Sequence, residues 1–444
     1  MTDDEVGSRN VAPPPHKQSM RSLAPAPSRT TFGAVFGVTE FRALWTAQVL
    51  SVAGDQLARV ALTLLVFART HSALLAAVTF TASVVPAFVG GLALSGLGDR
   101  WPRRRVMITC DLISALLVAV MALPGVPTAA RVGLLIMVTM IGAAFSSARA
   151  ALLADVLTGD RYVLGTGITL TTIQFAQVLG FAVGGAAVAF FGVSNSLLAD
   201  AATFIMSAVI VRLWVQARPR ARPKPHPSSL KNGSRECPAG GPSAGLRLVF
   251  TSPALLIPML FGWLASFYNI PEGVVAPLAR TLGGGDVAVG LLLAAGAFGA
   301  SVGALLLGRL AGPEQRLRWM GPLAIASCAV LMLFFLHPPL PMALLVLAVS
   351  GLCTCYQLPA NAAFVRAVPA EQRSQSFGIA LGGMSLGQGA AMILAGAAAG
   401  WVSPSLVIGA GGAVGVVTAV VVVLMRSRAR QPDHASRDRH DHAV

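Results

Sequence analysis

Charged side chains are scarce in this sequence of 444 residues. Asp, Glu, Lys and Arg make up 11% of it, hydrophobic residues make up 55%, and the mean hydropathy is +0.71. A soluble globular domain carries about 25% charged residues and hides most of its apolar side chains in one core. The sparse charge therefore excludes an ordinary soluble domain and indicates a chain that lies in a lipid bilayer.

Cysteines are also few, and the odd number of five excludes a fully paired disulfide framework. Cys353 and Cys355 are two positions apart, so a helix directs them to different sides. Small buried side chains are a better interpretation than a metal-binding pair. The sequence has no Gly-x-x-x-x-Gly-Lys-Ser motif and no catalytic cluster in its apolar stretches. These absences argue against an ATP-driven pump, a membrane enzyme and a metal site.

Long apolar runs are what the sequence has instead. A helix needs about 20 apolar residues to cross a hydrocarbon core of ~30 Å, and twelve stretches, numbered α1 to α12, meet this requirement. The first six are predicted at Ala43–Ala68, Ala73–Leu94, Val106–Leu123, Val132–Ala150, Thr166–Phe190 and Ser196–Leu213, and the second six at Ala254–Pro277, Val287–Leu307, Met320–Leu336, Leu340–Leu358, Ser376–Ala399 and Pro404–Met425. The pattern predicts an all-α membrane protein of two six-helix halves.

Basic residues are concentrated in alternate loops of this arrangement. Of the 33 Lys and Arg residues, 29 fall in the two tails, in the loops after α2, α4, α6, α8 and α10, or at the helix ends that adjoin them. Basic loops stay in the cytoplasm, so both termini are predicted to be cytoplasmic. The net charge of +15 follows from this topology. The basic residues are scattered over many loops, which argues against a nucleic-acid partner.

Polar segments divide the chain into domains. Residues 1–40 are rich in proline, lack the apolar core of a signal peptide, and are predicted to form a disordered cytoplasmic tail. Residues 41–215 are predicted to form the N-terminal half, 216–250 a cytoplasmic central loop, 251–425 the C-terminal half and 426–444 a second cytoplasmic tail. The halves look like a parallel repeat with an offset of 211 residues, since the triplet Ala-Arg-Thr recurs at that distance.

The loop between α2 and α3 reads Gly-Leu-Gly-Asp-Arg-Trp-Pro-Arg-Arg-Arg-Val-Met. With the twelve helices and the long central loop, it resembles the major facilitator superfamily, whose signature there is Gly-x-Leu-Ala-Asp-Arg-x-Gly-Arg-Arg. The charged matches are Asp99, Arg100, Arg103 and Arg104. The resemblance implies a gating loop, with Asp99 at the N-terminus of α11 and the arginines on neighbouring helix ends. The alternative is a loop that only sets orientation, but such a signal needs no aspartate.

Within the superfamily, stretches of α1, α3, α6 and α11 resemble the branch of macrolide-efflux proteins and siderophore exporters. The exporters of the drug:proton antiporter type carry Gly-Pro-x-x-Gly-Gly in α5, which Gly180, Gly184 and Gly185 fit without the proline. The resemblance implies a monomeric secondary transporter of a bacterial plasma membrane that exports an amphiphilic organic compound against protons, with no other cofactor. Alternatives are a siderophore or self-made metabolite as the substrate, and a transport-inactive sensor.

Five ionisable residues lie within the predicted helices and away from their ends: Asp55, Arg59, Asp111, Asp200 and Glu272. Charges at this depth are costly and therefore suggest function. Asp111 lies ~9 Å beyond Arg105, so a structural tie to the arginines of its own loop is expected. Asp200 is expected to make a structural hydrogen bond at a helix end or between helices. Asp55 is the deepest acid and the candidate proton carrier.

Arg59 lies four residues after Asp55, on the same helix face, so a static ion pair is one interpretation. The repeat offset relates Glu272 to position 61, which places Arg59 and Glu272 at nearly the same height on α1 and α7. A switch is the other interpretation. In it, Arg59 bridges to Glu272 when the outer mouth of a central cavity is closed and returns to Asp55 when the mouth opens.

The topology is testable by labelling. A cysteine placed at Arg222 in the central loop should not react with an impermeant thiol reagent in intact cells, because the loop is predicted to be cytoplasmic. The same cysteine should react in inverted membrane vesicles. Reaction in intact cells would overturn the orientation.

Overall fold

The computed structural model describes residues 32–94, 101–217, 249–368 and 373–430. Within these ranges the chain is helical and has no strand, so the predicted all-α class is confirmed. Eleven helices there are long and apolar enough to cross a membrane. Large apolar side chains such as Leu116, Leu179 and Leu394 are exposed on the outer surface of the bundle, as lipid contact requires.

The helices keep the numbering introduced above. The N-terminal half contains α1 (Thr39–Thr70), α2 (Ala73–Ala82 and Val85–Leu94), α3 (Arg103–Ala122), α4 (Thr128–Val156) and one element, Asp160–Trp214, that holds α5 and α6. The C-terminal half contains α7 (Pro253–Trp263, Ala265–Tyr268, Ile270–Gly273 and Val275–Thr281), α8 (Asp286–Leu310), α9 (Pro313–Ala329 and the 3-10 helix Val330–Leu336), α10 (Leu340–Cys353, the 3-10 helix Thr354–Tyr356, and Gln357–Ala367), α11 (Arg373–Ala398) and α12 (Pro404–Arg430).

A short helix, Phe32–Phe36, precedes α1. The predicted disordered tail is therefore wrong at its C-terminal end, where residues 32–40 are ordered by aromatic packing. The Phe36 ring meets the rings of Phe41 and Trp45 edge to face at centroid distances of 5.4 and 5.5 Å, and Val35 is fully buried. Residues 1–31, 218–248 and 431–444 lie outside the described ranges.

The element Asp160–Trp214 is two antiparallel helices. Gly192 has φ 77° and ψ 168°, a conformation that glycine adopts without steric cost. Gly180 packs on Gln56, and Asp200 packs on Gly54, so residues 180 and 200 meet the same turn of α1. An unbroken helix would separate them by about 30 Å, so the chain reverses at Gly192. When this one element is divided at Gly192, the eleven membrane-spanning elements become twelve crossings. That number and the cytoplasmic termini stay predictions.

Two helices are interrupted near the middle of the bundle. The segments of α2 are separated by Ser83 and Val84, and α7 is divided into four short segments. Pro271 lies in the first turn of the third of these, and a proline has no backbone N–H to continue the helical hydrogen bonds. Such breaks leave backbone carbonyls available to side chains, which inside a membrane occurs where the helix faces a cavity or other protein.

Glycines set the closest helix contacts within each half. Gly90 of α2 lies against the backbone of Met140 on α4, and Gly351 of α10 lies against the backbone of Gly296 and Ala300 on α8. The repeat offset of 211 residues maps positions 90 and 140 onto 301 and 351. The corresponding helix pairs of the two halves therefore cross at corresponding places, as a duplicated bundle requires.

The two halves are packed together at the predicted outer end. The largest buried cluster combines residues of both halves, including Leu64, Leu278, Leu292 and Met392. At the same end the Arg280 guanidinium lies over the Phe67 ring, 4.8 Å from its centroid. The next largest clusters each belong to one half. Among the described residues, the outer end is therefore the closed end of the structure.

The glycine contacts predict a stability difference between two changes on α8. A Cβ at Gly303 would clash with the carbonyl oxygen of Leu352, whereas a Cβ at Gly308 meets nothing within 4 Å. We expect Gly303→Ala to destabilise the protein by about 1–3 kcal/mol through overpacking. Gly308→Ala should be neutral or stabilising by up to ~1 kcal/mol, because alanine favours a helix. Thermal unfolding in detergent measures both, and equal midpoints would contradict the packing.

Candidate functional site

A central cavity of about 490 Å³ lies between the two halves. Its charged residues are Arg59, from α1 of the N-terminal half, and Glu272, from α7 of the C-terminal half. Its other polar side chains are amides and hydroxyls, contributed by α5, α7, α10 and α11: Gln174, Gln177, Tyr268, Asn269, Ser350, Thr354, Gln357 and Gln388. Phe181, Leu293 and Met384 add apolar surface. The cavity therefore offers hydrogen bonds, one charge of each sign and apolar contacts.

Arg59 is held by the break in α2. Its Nη2 donates a hydrogen bond to the Ser83 carbonyl oxygen at 3.2 Å, and its guanidinium lies 5.5 Å from the centroid of the Phe80 ring. Ser83 is one of the two residues between the segments of α2, so the break provides the acceptor. The Arg59 Nε is buried without a hydrogen-bond partner. A guanidinium with a free N–H can still accept another partner.

The two acids that the sequence pairs with Arg59 lie on either side of it. Both Glu272 and Asp55 interact with Arg59 electrostatically, Glu272 more strongly. Among the described residues, however, the ion pair within 4.0 Å is Arg103–Asp155. Arg59 is therefore not within 4.0 Å of either acid in this structure, and the static pair and the switch both stay predictions. The Ser83 carbonyl oxygen is the acceptor that Arg59 contacts directly.

A second cavity of about 230 Å³ lies inside the N-terminal half. Asp55, Asp111 and Asp200 line it. Asp111, 2% exposed, accepts a hydrogen bond from the Ser207 hydroxyl of α6 at 2.7 Å. The expected tie of Asp111 to its loop arginines is wrong, since the side chain points into the bundle two turns beyond them. Asp200 accepts a bond from Thr203 of its own helix at 3.3 Å, while its Oδ2 has no partner.

The loop arginines contact the ends of neighbouring helices. Arg103 forms an ion pair with Asp155 and donates to the Ala151 carbonyl oxygen at 3.1 Å, near the end of α4. Arg104 donates to the Arg212 carbonyl oxygen, near the end of α6. Cations are favourable at helix C-termini, where carbonyls have no helical partner. Asp99 and Arg100, and with them the contact predicted for α11, lie outside the described residues.

The glycines of the α5 motif face two different helices. Gly180 packs on Ala53 and Gln56 of α1, and a Cβ at Gly184 would lie 3.3 Å from the Leu57 Cα. Gly185 faces the other half, where a Cβ would lie 2.8 Å from the Cα of Gly290 on α8. Gly180 and Gly184 therefore fix α5 on α1, whereas Gly185 allows the backbones of the two halves to meet.

Sequence reasoning missed the amide side chains of the cavity. Glutamine and asparagine, like charged residues, cost free energy in a bilayer unless they are hydrogen-bonded. Gln174 and Gln177 lie one turn apart in α5, and Gln357 donates to the Tyr268 hydroxyl across the C-terminal half. Amides within predicted spans were the signal available in the sequence.

A two-halved helical bundle with a polar cavity between its halves defines a membrane transporter. The chain belongs to the Major Facilitator Superfamily, whose family model matches residues 44–334 and 267–443. The superfamily resemblance in the sequence is thus confirmed, and the protein is a multi-pass membrane transporter rather than an enzyme.

Named relatives and solved structures agree with this family. The enterobactin exporter EntS of Shigella boydii serotype 4 (strain Sb227) is 29% identical over 321 residues, which cover 70% of this chain and 73% of that protein. EntS of Escherichia coli O81 (strain ED1a) is equally similar. A POT family transporter in complex with 5-aminolevulinic acid superposes with a TM-score of 0.70 at 11% identity, over 91% of this chain and 99% of the other. A mutant of the nucleoside transporter NupG gives 0.64 at 13% identity, over 86% and 99%. At these identities the structures share the fold alone.

The contact between Gly185 and Gly290 predicts that a larger side chain at position 185 prevents the outer end from closing. Gly185→Leu should keep α5 from α8 and separate the halves at the outer end, because Gly290 presents backbone that cannot move aside. Spin labels at Leu74 and Val287 should report a longer distance in this variant. Gly167→Leu is the matched control, since Gly167 lies on the same helix with no atom within 4 Å of its Cβ position. Unchanged spin-label distances in Gly185→Leu would show that this contact does not control closure of the outer end.

Proposed function

We propose that this protein exports an amphiphilic organic compound by alternating access, driven by protons that move in the opposite direction. The observation that carries the proposal is the central cavity, where a cation of one half and a carboxylate of the other face a common space beneath a closed outer end. A change in the Arg59–Glu272 interaction acts on both halves at once. Alternating access needs such a link between ligand chemistry and the relative position of the halves.

The cavity lining supports a neutral or cationic amphiphile. Arg59 is occupied by the Ser83 carbonyl, whereas Glu272 lies in the cavity without an ion-pair partner within 4.0 Å among the described residues. A cationic group of the substrate could pair with Glu272 while its apolar part contacts Phe181 and Met384. The amides of Gln177 and Gln388 supply donors and acceptors for neutral polar groups.

A siderophore is the second candidate substrate, because the relatives at 29% identity are named as enterobactin exporters. The amide-rich lining is compatible with a polar self-made metabolite of this kind. In both cases the protein acts as a monomer in a bacterial plasma membrane and uses the proton as its coupling ion. The loop with Asp99 serves as the inner gate, for which Arg103 and Arg104 already provide the attachments to α4 and α6.

Transport by reconstituted protein tests the proposal. A fluorescent amphiphilic cation or enterobactin is added to proteoliposomes. Its accumulation inside them is followed with and without an imposed pH gradient. Accumulation against the substrate gradient only when the proton gradient is present supports proton-coupled export. Equal movement under both conditions would contradict proton coupling, and the compound that moves decides between the two substrates.

Glu272→Gln should lower proton-driven accumulation of the cation about tenfold, since the cavity loses its carboxylate and its attraction for Arg59. Glu314→Gln is the matched control, an acid-to-amide change at the first turn of α9, away from the cavity. It should transport at the wild-type rate. A normal rate in Glu272→Gln would exclude Glu272 from the transport cycle.

A further inference from the structure

The central cavity and the N-terminal cavity have one lining residue in common, Arg59. The N-terminal cavity follows α1 from Arg59 past Asp55 to Gln48, a length of about 16 Å toward the predicted inner end. The two spaces are thus separate except at a guanidinium that faces both. A charge that changes in one cavity can act on the other through Arg59.

The N-terminal cavity contains buried acceptors without donors. Asp200 is 1% exposed and Gln48 is 7% exposed, and the Asp200 Oδ2 and the Gln48 Oε1 have no hydrogen-bond partner. Both residues line the cavity. An ionised carboxylate in such a place, without a cation in contact, is strongly disfavoured, so the group becomes neutral instead.

The titratable groups that line this cavity are Asp55 and Arg59 on α1, Cys110 and Asp111 on α3, and Asp200 on α6. Asp111 is satisfied by the Ser207 hydroxyl. The Asp200 carboxylate touches Gly54, next to Asp55, and Asp55 interacts electrostatically with Asp200. Two like charges around one turn of α1, one of them on a side chain that is 1% exposed, are not both stable.

We infer that Asp200 and Asp55 together hold the transported proton inside the N-terminal half, in a compartment separate from the substrate cavity, and that Arg59 transmits the state of this pair to Glu272. The inference rests on the proposed proton coupling and names its site. The proton binds to a carboxylate oxygen of the pair and leaves to water toward the inner end, and no other bond changes.

The geometry explains how proton release and substrate binding are linked. Arg59 interacts electrostatically with Glu272 in the central cavity and, less strongly, with Asp55 of the pair. Loss of the proton leaves a negative charge on the Asp200–Asp55 pair. This charge attracts the Arg59 guanidinium away from the central cavity. Glu272 then remains free for a cationic group of the substrate. Proton release to the inside and substrate uptake from the inside therefore occur in the same outer-closed state.

Infrared difference spectroscopy between acidic and alkaline buffer tests the site without any transport. The wild-type protein should show the carbonyl stretch of a buried carboxylic acid at acidic pH, and Asp200→Asn should lose that signal. Asp111→Asn is the matched control in the same cavity, because its amide oxygen still accepts the Ser207 hydroxyl, and it should keep the signal. If Asp200→Asn does not insert, Asp55→Asn reports on the same pair and should also lose the signal.

In proteoliposomes, Asp200→Asn should lose at least tenfold in pH-driven accumulation of the substrate. A retained carboxylic acid signal in both Asp200→Asn and Asp55→Asn would overturn the site, as would a signal that follows sodium concentration rather than pH. If the wild type moves substrate with no response to a pH gradient, the proposed proton coupling fails. The loss of the signal in Asp200→Asn would then still identify a proton-binding pair.

Discussion

A guanidinium in the interior of a membrane bundle must find acceptors inside the protein, and the arrangement of this transporter depends on where Arg59 finds them. The break in α2 supplies one at the Ser83 carbonyl, the Phe80 ring supplies a face for the cation, and two carboxylates lie within electrostatic reach. None of these partners satisfies the whole group. The Arg59 Nε is left without a hydrogen-bond partner and can still donate to another acceptor.

At one point the closest approach of the two halves is made by backbone rather than by side chains. Lipid tails are as apolar as leucine, so no hydrophobic force drives helices together inside a bilayer, and close packing must replace it. At Gly185 and Gly290 the two halves meet with no side chain between them. The same device holds α2 on α4 and α8 on α10 within the halves. Closure between halves and cohesion within each half thus use the same chemistry.

The sequence predicts the spans well because hydropathy over twenty residues is a strong, local signal, and α2, α8 and α11 begin or end within three residues of their predicted bounds. The depth of Arg59 and Glu272 also follows from counting along helices, and both line one cavity. The partner of Arg59 could not be predicted, since no sequence pattern marks a backbone carbonyl freed by a break. The partner of Asp111 depends on helix rotation, which packing decides. The short helix Phe32–Phe36 is placed by ring contacts of Phe36 with Phe41 and Trp45, which no sequence pattern marks.

The three buried acids of the N-terminal cavity have no counterparts in the other half. The repeat offset carries Asp55, Asp111 and Asp200 onto Ser266, Pro322 and Gly411. The corresponding region of the C-terminal half is an apolar cluster around Phe261 and Tyr356. The two halves therefore share their helix arrangement and differ in where their buried acids lie. An exchange of the two halves would keep the packing pattern and move the acid-lined cavity to the other side of the bundle.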